Sequence, residues 1–351
     1  MAASVATACS APRHLVGAAP SNEVAGRSHT IYIATVRAPS TDPTVFFSGE
    51  RSPRINFATV NVHTPPNHVI GQLELPRSLP PDPERHFVIK NPQILDEAGF
   101  RSVVGAHALS RPRGQRDALM WIHGFNTTLS EAILRLAQFV EDTEYSGVPL
   151  LFSWASDARI TSYVYDINSA LIARDAITYV ASALGRSSFD KVDIVAHSMG
   201  NLLAMEAIRG GSQLNLFDST GKLASVVLAA PDIDYELFAA QVSSIPPESR
   251  GFFVLISSDD RALRLSGLIA RRPRVGDIDA ASLTKLGVNV IDLSQVGDTS
   301  SIHHSKFVDA PEVVQLLGSR ILAGDSYTSE GASVLGQALV VGAGGTLELL
   351  D

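Results

Sequence analysis

Three side chains of this sequence have the types and order needed for nucleophilic chemistry: Ser198, then Asp260, then His304, each just beyond a short apolar run. Lys191-Val192-Asp193-Ile194-Val195 reads as a β-branched strand and Asn201 to Ile208 as a helix, so Ala196-His197-Ser198-Met199-Gly200 must be the sharp turn between them. A serine on such a turn is held in a strained conformation that lifts its hydroxyl above the sheet. The positions two before and two after it must be small, because the following helix passes close to the strand. Ala196 and Gly200 meet that need, with alanine standing where glycine is more usual. The turn therefore reads as a nucleophile elbow.

An acid and a base should follow on later strands. Gly251 to Ser258 reads as a buried strand that ends on Asp259-Asp260, and Gly287 to Leu293 as the final strand, followed by a loop carrying His303-His304. Asp260 stands just before the helical run Arg261 to Ala270 and is the expected acid, with Asp259 expected to cap that helix. Asp232, in Ala230-Pro231-Asp232-Ile233-Asp234 after the preceding strand, is the competing acid; its other role would be to cap a helix starting near Tyr235. His304 is the expected base, which would take the proton of Ser198 while the aspartate fixes its tautomer. Adjacent histidines point apart, so His303 should face outward. Taken singly, each side chain could be a cap or a solvated group; the order along the chain carries the reading.

A tetrahedral intermediate needs backbone donors aimed at its oxyanion. One is expected from the N–H of Met199, just after the serine, and the second from Phe125, in the loop His123-Gly124-Phe125-Asn126-Thr127-Thr128 that follows the strand Ala118 to Ile122. Gly124 lets that loop turn. Asn126 is the expected polar contact to substrate, and His123 is expected to fix the loop by hydrogen bonds. Ser156 to Asn168, with Tyr163 and Tyr165, should overhang the cleft and shape substrate choice.

These residues resemble those of the DUF900 family of α/β-hydrolases, within the bacterial esterase and lipase superfamily. The likeness lies in His123-Gly124-Phe125-Asn126, the elbow, Ala230 to Asp234, Ser258-Asp259-Asp260-Arg261-Ala262-Leu263 with Ser266, and His304-Ser305. It extends upstream through Tyr32 to Arg37 and Phe46 to Arg51, and so spans most of residues 30 to 320. The resemblance implies a Ser198-Asp260-His304 triad and a serine esterase that passes through an acyl-enzyme. Lys306 stands where the family more often has an aromatic residue. An acyltransferase using the same intermediate, or a silent binding module on the same scaffold, are the alternatives.

The elements needed to hold such a site are written in the pattern. From about 117 to 320, strands such as Leu150 to Trp154 alternate with helical runs such as Ile160 to Leu184, which predicts an α/β fold with a mostly parallel, doubly wound sheet flanked by helices. Ile55 to Val62 and Val69 to Leu75 predict antiparallel leading strands. The expected organisation is a disordered segment over 1–28, one hydrolase domain over 29–320 and a Gly, Ala and Ser-rich tail over 321–351. That tail, with its apolar patch Val334 to Val341, should be loosely ordered or packed on a neighbour.

At 351 residues and 45% hydrophobic content the chain can bury a large core. The net charge of −8 gives no sign of a nucleic-acid or anionic-membrane partner, and Arg271-Arg272-Pro273-Arg274 should be a solvated helix end rather than a binding patch. No metal-ligand spacing stands out, so no cofactor is expected, and the partner is a small-molecule ester. Ala6-Thr7-Ala8-Cys9 resembles a lipobox without the apolar stretch of a signal peptide, which leaves an N-terminal lipid anchor as a membrane link. The resemblance favours the cell envelope or periplasm over the cytoplasm.

Overall fold

The computed structural model describes residues 11–19, 26–213, 221–297, 302–318, 338–341 and 346–349. The strands are β1 (Ser28–Pro39), β2 (Phe47–His63), β3 (Val88–Leu95), β4 (Asp117–Ile122), β5 (Val148–Ser153), β6 (Lys191–His197), β7 (Leu223–Ala229), β8 (Phe252–Ile256), β9 (Asn289–Asp292), β10 (Ala338–Val341) and β11 (Thr346–Leu349). The helices are α1 (Glu97–Leu109), α2 (Leu129–Asp142), α3 (Tyr163–Ile172), α4 (Arg174–Gly185), α5 (Gly200–Gln213), α6 (Tyr235–Ser243), α7 (Arg261–Ala270), α8 (Ala280–Thr284), α9 (Lys306–Asp309) and α10 (Pro311–Leu316).

One sheet runs in the order β10-β11-β9-β8-β7-β6-β4-β5-β1-β2-β3. Every pair from β9 to β1 is parallel, while β1, β2 and β3 pair antiparallel. The mostly parallel sheet with antiparallel leading strands is therefore borne out. Its central strands alternate side chains between two covered faces. On β4, Ala118, Met120 and Ile122 join the layer beneath α1 and α3 to α6, whereas Leu119 and Trp121 join the layer beneath α2, α9 and α10. The chain leaves β4 toward β5 on one side and leaves β6 toward β7 on the other. Between the carboxyl ends of β4 and β6 the strand order thus reverses, and such a crevice is where open α/β sheets bind ligands.

Several expectations are corrected. Val69 to Leu75 forms no strand. Pro65 and Pro66 precede it, Gly71 has φ +83°, and the Gly71 N–H donates to Asp142 at 3.0 Å, so the segment is a loop laid over the end of α2. The third leading strand is instead β3, at the sheet edge, where Pro92 is tolerated. The long helix over 160–184 is divided at Ala173 into α3 and α4, after a 3₁₀ turn at Ile160–Ser162. Residues 11–19 are packed rather than disordered: Leu15 and Val16 are buried against the α2 layer, and Arg13 pairs with Glu131 at 2.7 Å. In the tail, β10 and β11 pair antiparallel, and β11 pairs parallel with β9. The rest of that tail, and Cys9, lie outside the described residues. Among the described residues no helix is long and apolar enough to cross a membrane.

Candidate active site

Ser198 sits where β6 gives way to α5 with φ +53°, a left-handed value that a residue with a β-carbon adopts only when its surroundings force it. Hydrogen bonds on both sides supply that force. Its N–H donates to the Ala229 carbonyl at 3.0 Å, and its own carbonyl accepts from the N–H of Asn201 at 3.1 Å and from the Asn201 side chain at 2.9 Å. A methyl on Gly200 would lie 2.5 Å from the His123 carbonyl oxygen, so the small residue expected there is required by the β4 backbone. A methyl on Gly124 would lie 2.8 Å from the Ser198 β-carbon. The two loops at the crevice are thus in direct contact, as the pairing of Ile122 with Ala196 demands.

The loop after β4 is held in place by groups on several elements. Thr128 and Glu131 form a capping box at the start of α2. Arg13 donates to the Asn126 carbonyl at 2.7 Å, and buried Arg37 donates to the carbonyls of Thr127 at 2.7 Å and Ser156 at 2.9 Å. Burial lowers the Arg37 pKa to about 10, with Asp166 acting in the opposite direction. Asp166 accepts from the Ser156 hydroxyl and from the N–H groups of Asn126 and Asp157. His123 is structural, as expected. It accepts from Ser153 Oγ at Nε2, 3.0 Å, and donates from Nδ1 to the Gly124 carbonyl at 2.9 Å; burial, then the charge of Arg37, pushes its pKa down to about 3 and keeps it neutral. The order of Arg13, Arg37 and Asp166 around one loop was not readable from the sequence. A cation ending the apolar run Tyr32 to Val36 was the one available hint.

Asp260 and His304, the expected acid and base, are brought together. His304 Nδ1 donates to Asp260 Oδ2 at 2.7 Å, with Asp260 fully buried and His304 partly open. Asp260 also caps α7, accepting the Leu263 N–H on Oδ1 at 3.0 Å. Asp259, the expected cap, is engaged by Lys306 instead, which reaches both of its oxygens at 2.8 Å and the Leu293 carbonyl at 2.9 Å. Burial alone would raise the Asp259 carboxyl, but Lys306 and Ser257 outweigh it and hold the pKa below its ordinary value. Buried Lys306 therefore fastens the start of α9 to the end of β8, directly beneath the His304 loop.

His197, the residue before the serine, donates from Nε2 to the His304 carbonyl at 3.1 Å, and its ring lies 4.7 Å from that of His304. Phe307 fills the space below, 4.8 Å from His197 and 5.6 Å from Trp121. Burial, then His304, drives the His197 pKa well below its ordinary value. Ser198 Oγ and His304 form no hydrogen bond in this structure. His303, with φ +58°, takes the turn that lets His304 face Asp260.

Asp232 is engaged elsewhere. It accepts from Ser266 Oγ at 2.5 Å and Tyr163 OH at 3.0 Å, and pairs with buried Arg274 at 3.2 Å. Arg274 is thus a buried partner rather than part of a solvated helix end. Asp234, not Asp232, caps α6. Burial, then Asp232, raises the Tyr163 pKa to about 12, so its hydroxyl stays protonated. The Tyr163 ring packs edge-on against Phe125 at 5.2 Å, which places it beside the loop after β4. Tyr165 is held differently: its hydroxyl donates to the Gly49 carbonyl at 3.1 Å, and Arg51 lies over its ring at 4.1 Å. Asn126 has φ +55° and a buried Oδ1 with no protein partner. Among the described residues no group of three His, Cys, Asp or Glu side chains could hold a metal ion.

Among solved structures, the chain is similar to 2,6-dihydroxy-pseudo-oxynicotine hydrolase, at 10% identity and a TM-score of 0.34 over 78% of this chain and 67% of the other. It is also similar to a hydrolase from Oleispira antarctica, at 12% identity and a TM-score of 0.24 over 59% and 79%. A third is proline iminopeptidase of Mycobacterium smegmatis, at 12% identity and a TM-score of 0.29 over 77% and 97%. Curated proteins give no match. The profile of the DUF900 family, described as alpha/beta hydrolase of unknown function, matches residues 97–320, more than half of the chain and the whole of the region that carries Ser198, Asp260 and His304. The chain therefore belongs to the DUF900 family of α/β-hydrolases.

Proposed function

We propose that this hydrolase is a serine esterase that cleaves carboxylic esters through an acyl-enzyme on Ser198. The observation that carries the reading is the Asp260–His304 hydrogen bond of 2.7 Å, made at the crevice beside a serine held at φ +53°. With Nδ1–H engaged by Asp260, His304 has Nε2 left as the basic nitrogen. In the first half-reaction Nε2 takes the Ser198 proton as Oγ attacks the ester carbonyl, then returns it to the departing alcohol. In the second half-reaction a water attacks the acyl-enzyme by the same route. Asp260 holds the tautomer and stabilises the imidazolium.

Met199 and Phe125 are assigned as the oxyanion donors. Among the described residues neither N–H has a protein acceptor, and the contact between Gly124 and Ser198 sets the two loops side by side. Tyr163, seated against Phe125, and Asn126, with its unpaired Oδ1, are the assigned substrate contacts; Tyr165 acts with them through the Gly49 segment that it holds. The test is a panel of p-nitrophenyl esters of rising acyl length. Turnover by the wild type that Ser198→Ala lowers to the residue left by the oxyanion hole, roughly 10³ to 10⁴ over water, supports the reading. Undiminished turnover by that variant would overturn it.

A further inference from the structure

The helix α7, which begins at the acid of the site, carries an apolar ridge on its outer side. Leu263 and Ser266 face inward, one turn apart, and Ser266 meets Tyr163 and Asp232. On the opposite side Leu265 is 56%, Leu268 76% and Ile269 61% exposed, and Ile302, whose carbonyl accepts the Arg261 N–H, is 52% exposed. Aliphatic side chains so open are a cost in water unless they have a use.

Cations flank the ridge. Arg261 and Arg264 lie at its amino end and Arg271 and Arg272 at its carboxyl end, in a chain whose net charge is −8. Arg264 has Asp277 at 4.0 Å and donates to the Ser258 carbonyl. Among the described residues, Arg261, Arg271 and Arg272 have no carboxylate partner, and the nearby Asp259 is already paired with Lys306. Leucines at the centre of a short helix with arginines at both ends match a bilayer interface, where aliphatic groups enter the acyl boundary and guanidinium groups meet phosphates.

We propose that α7 docks this enzyme on an anionic lipid surface, with Leu265, Leu268 and Ile269 inserted and Arg261, Arg264, Arg271 and Arg272 on the headgroups. Docking of this kind sets against the lipid the helix whose first turn is capped by Asp260.

The experiment is co-sedimentation with vesicles of phosphatidylglycerol and phosphatidylcholine in equal parts, and with phosphatidylcholine alone. The full chain carries Ser198→Ala, so that hydrolysis does not enter, and Cys9→Ser, so that no acyl anchor contributes. Binding to the anionic vesicles alone is expected, weakening in 1 M salt, where the Debye length is about 3 Å. Replacing Leu265, Leu268 and Ile269 by Ser should lower partitioning by more than about tenfold. Each Arg→Gln should lower it roughly fivefold. All these side chains are on the outer face, and an unchanged Tm checks that the fold is kept. Equal binding by the serine variant, equal binding to phosphatidylcholine alone, or no binding at low salt would overturn the proposal. So would a dimer in solution that the serine variant dissolves while vesicles are ignored, since the ridge would then serve a second copy.

Discussion

Asp260 and His304 are joined by a carboxylate that serves two elements at once: Oδ2 holds the His304 ring while Oδ1 caps α7. These duties can be separated. Asparagine caps a helix about as well as aspartate, but its side chain cannot hold the imidazole in the same tautomer. Asp260→Asn should therefore leave the Tm near the wild-type value and lower kcat by about 10⁴. Asp260→Ala should lose activity and also about 1 kcal/mol of stability with the cap. Thermal melts beside ester kinetics distinguish the two.

Asp232 should behave in the opposite way. It is the buried partner of Arg274, so Asp232→Ala leaves an uncompensated charge and should cost about 3–5 kcal/mol of stability. Per folded molecule, its acylation rate should fall far less than that of Asp260→Asn. A larger rate loss at Asp232 than at Asp260 would move the acid to Asp232.

The neighbouring histidines give a third contrast. His304→Ala should abolish acylation of Ser198. His303→Ala should keep most of it, because His303 supplies the left-handed turn rather than the ring that meets Asp260. Stopped-flow acylation of both variants tests this, and the reverse ranking would contradict the geometry described.

Away from the crevice, His68 bridges Glu74 at 2.9 Å and Asp142 at 2.5 Å. Burial opposes its charge, but the hydrogen bonds from Asp142 and Glu74 outweigh it and raise the pKa to about 9 from 6.5. A histidine with a raised pKa stabilises the fold fully below its unfolded value and loses that contribution as pH climbs through the folded one. The Tm difference between wild type and His68→Gln should thus be greatest below pH 6.5 and shrink up to about pH 9. A difference independent of pH would mean that His68 acts by packing alone.

Much of this arrangement was legible because it is local. The elbow is a strand, a small-residue turn and a helix in one stretch, and Asp260 and His304 stand in the loops that follow β8 and β9. What sequence reasoning missed depends on distant partners. Asp259 or Asp260 could equally cap α7; Lys306, far along the chain, decides between them by engaging Asp259. Val69 to Leu75 has the composition of a strand, but Gly71 and the Asp142 carboxylate hold it as a loop. Arg13 and Arg37 fix the loop after β4 from elements distant in sequence, and no local pattern reports that.

The central claim is that Ser198 is the nucleophile, and covalent labelling tests it most directly. The wild type should react with a fluorophosphonate, and peptide mass spectrometry should place the adduct on Ser198. Labelling should be absent from Ser198→Ala and greatly slowed in His304→Ala. An adduct on any other serine, or labelling of Ser198→Ala at the wild-type rate, would contradict the account.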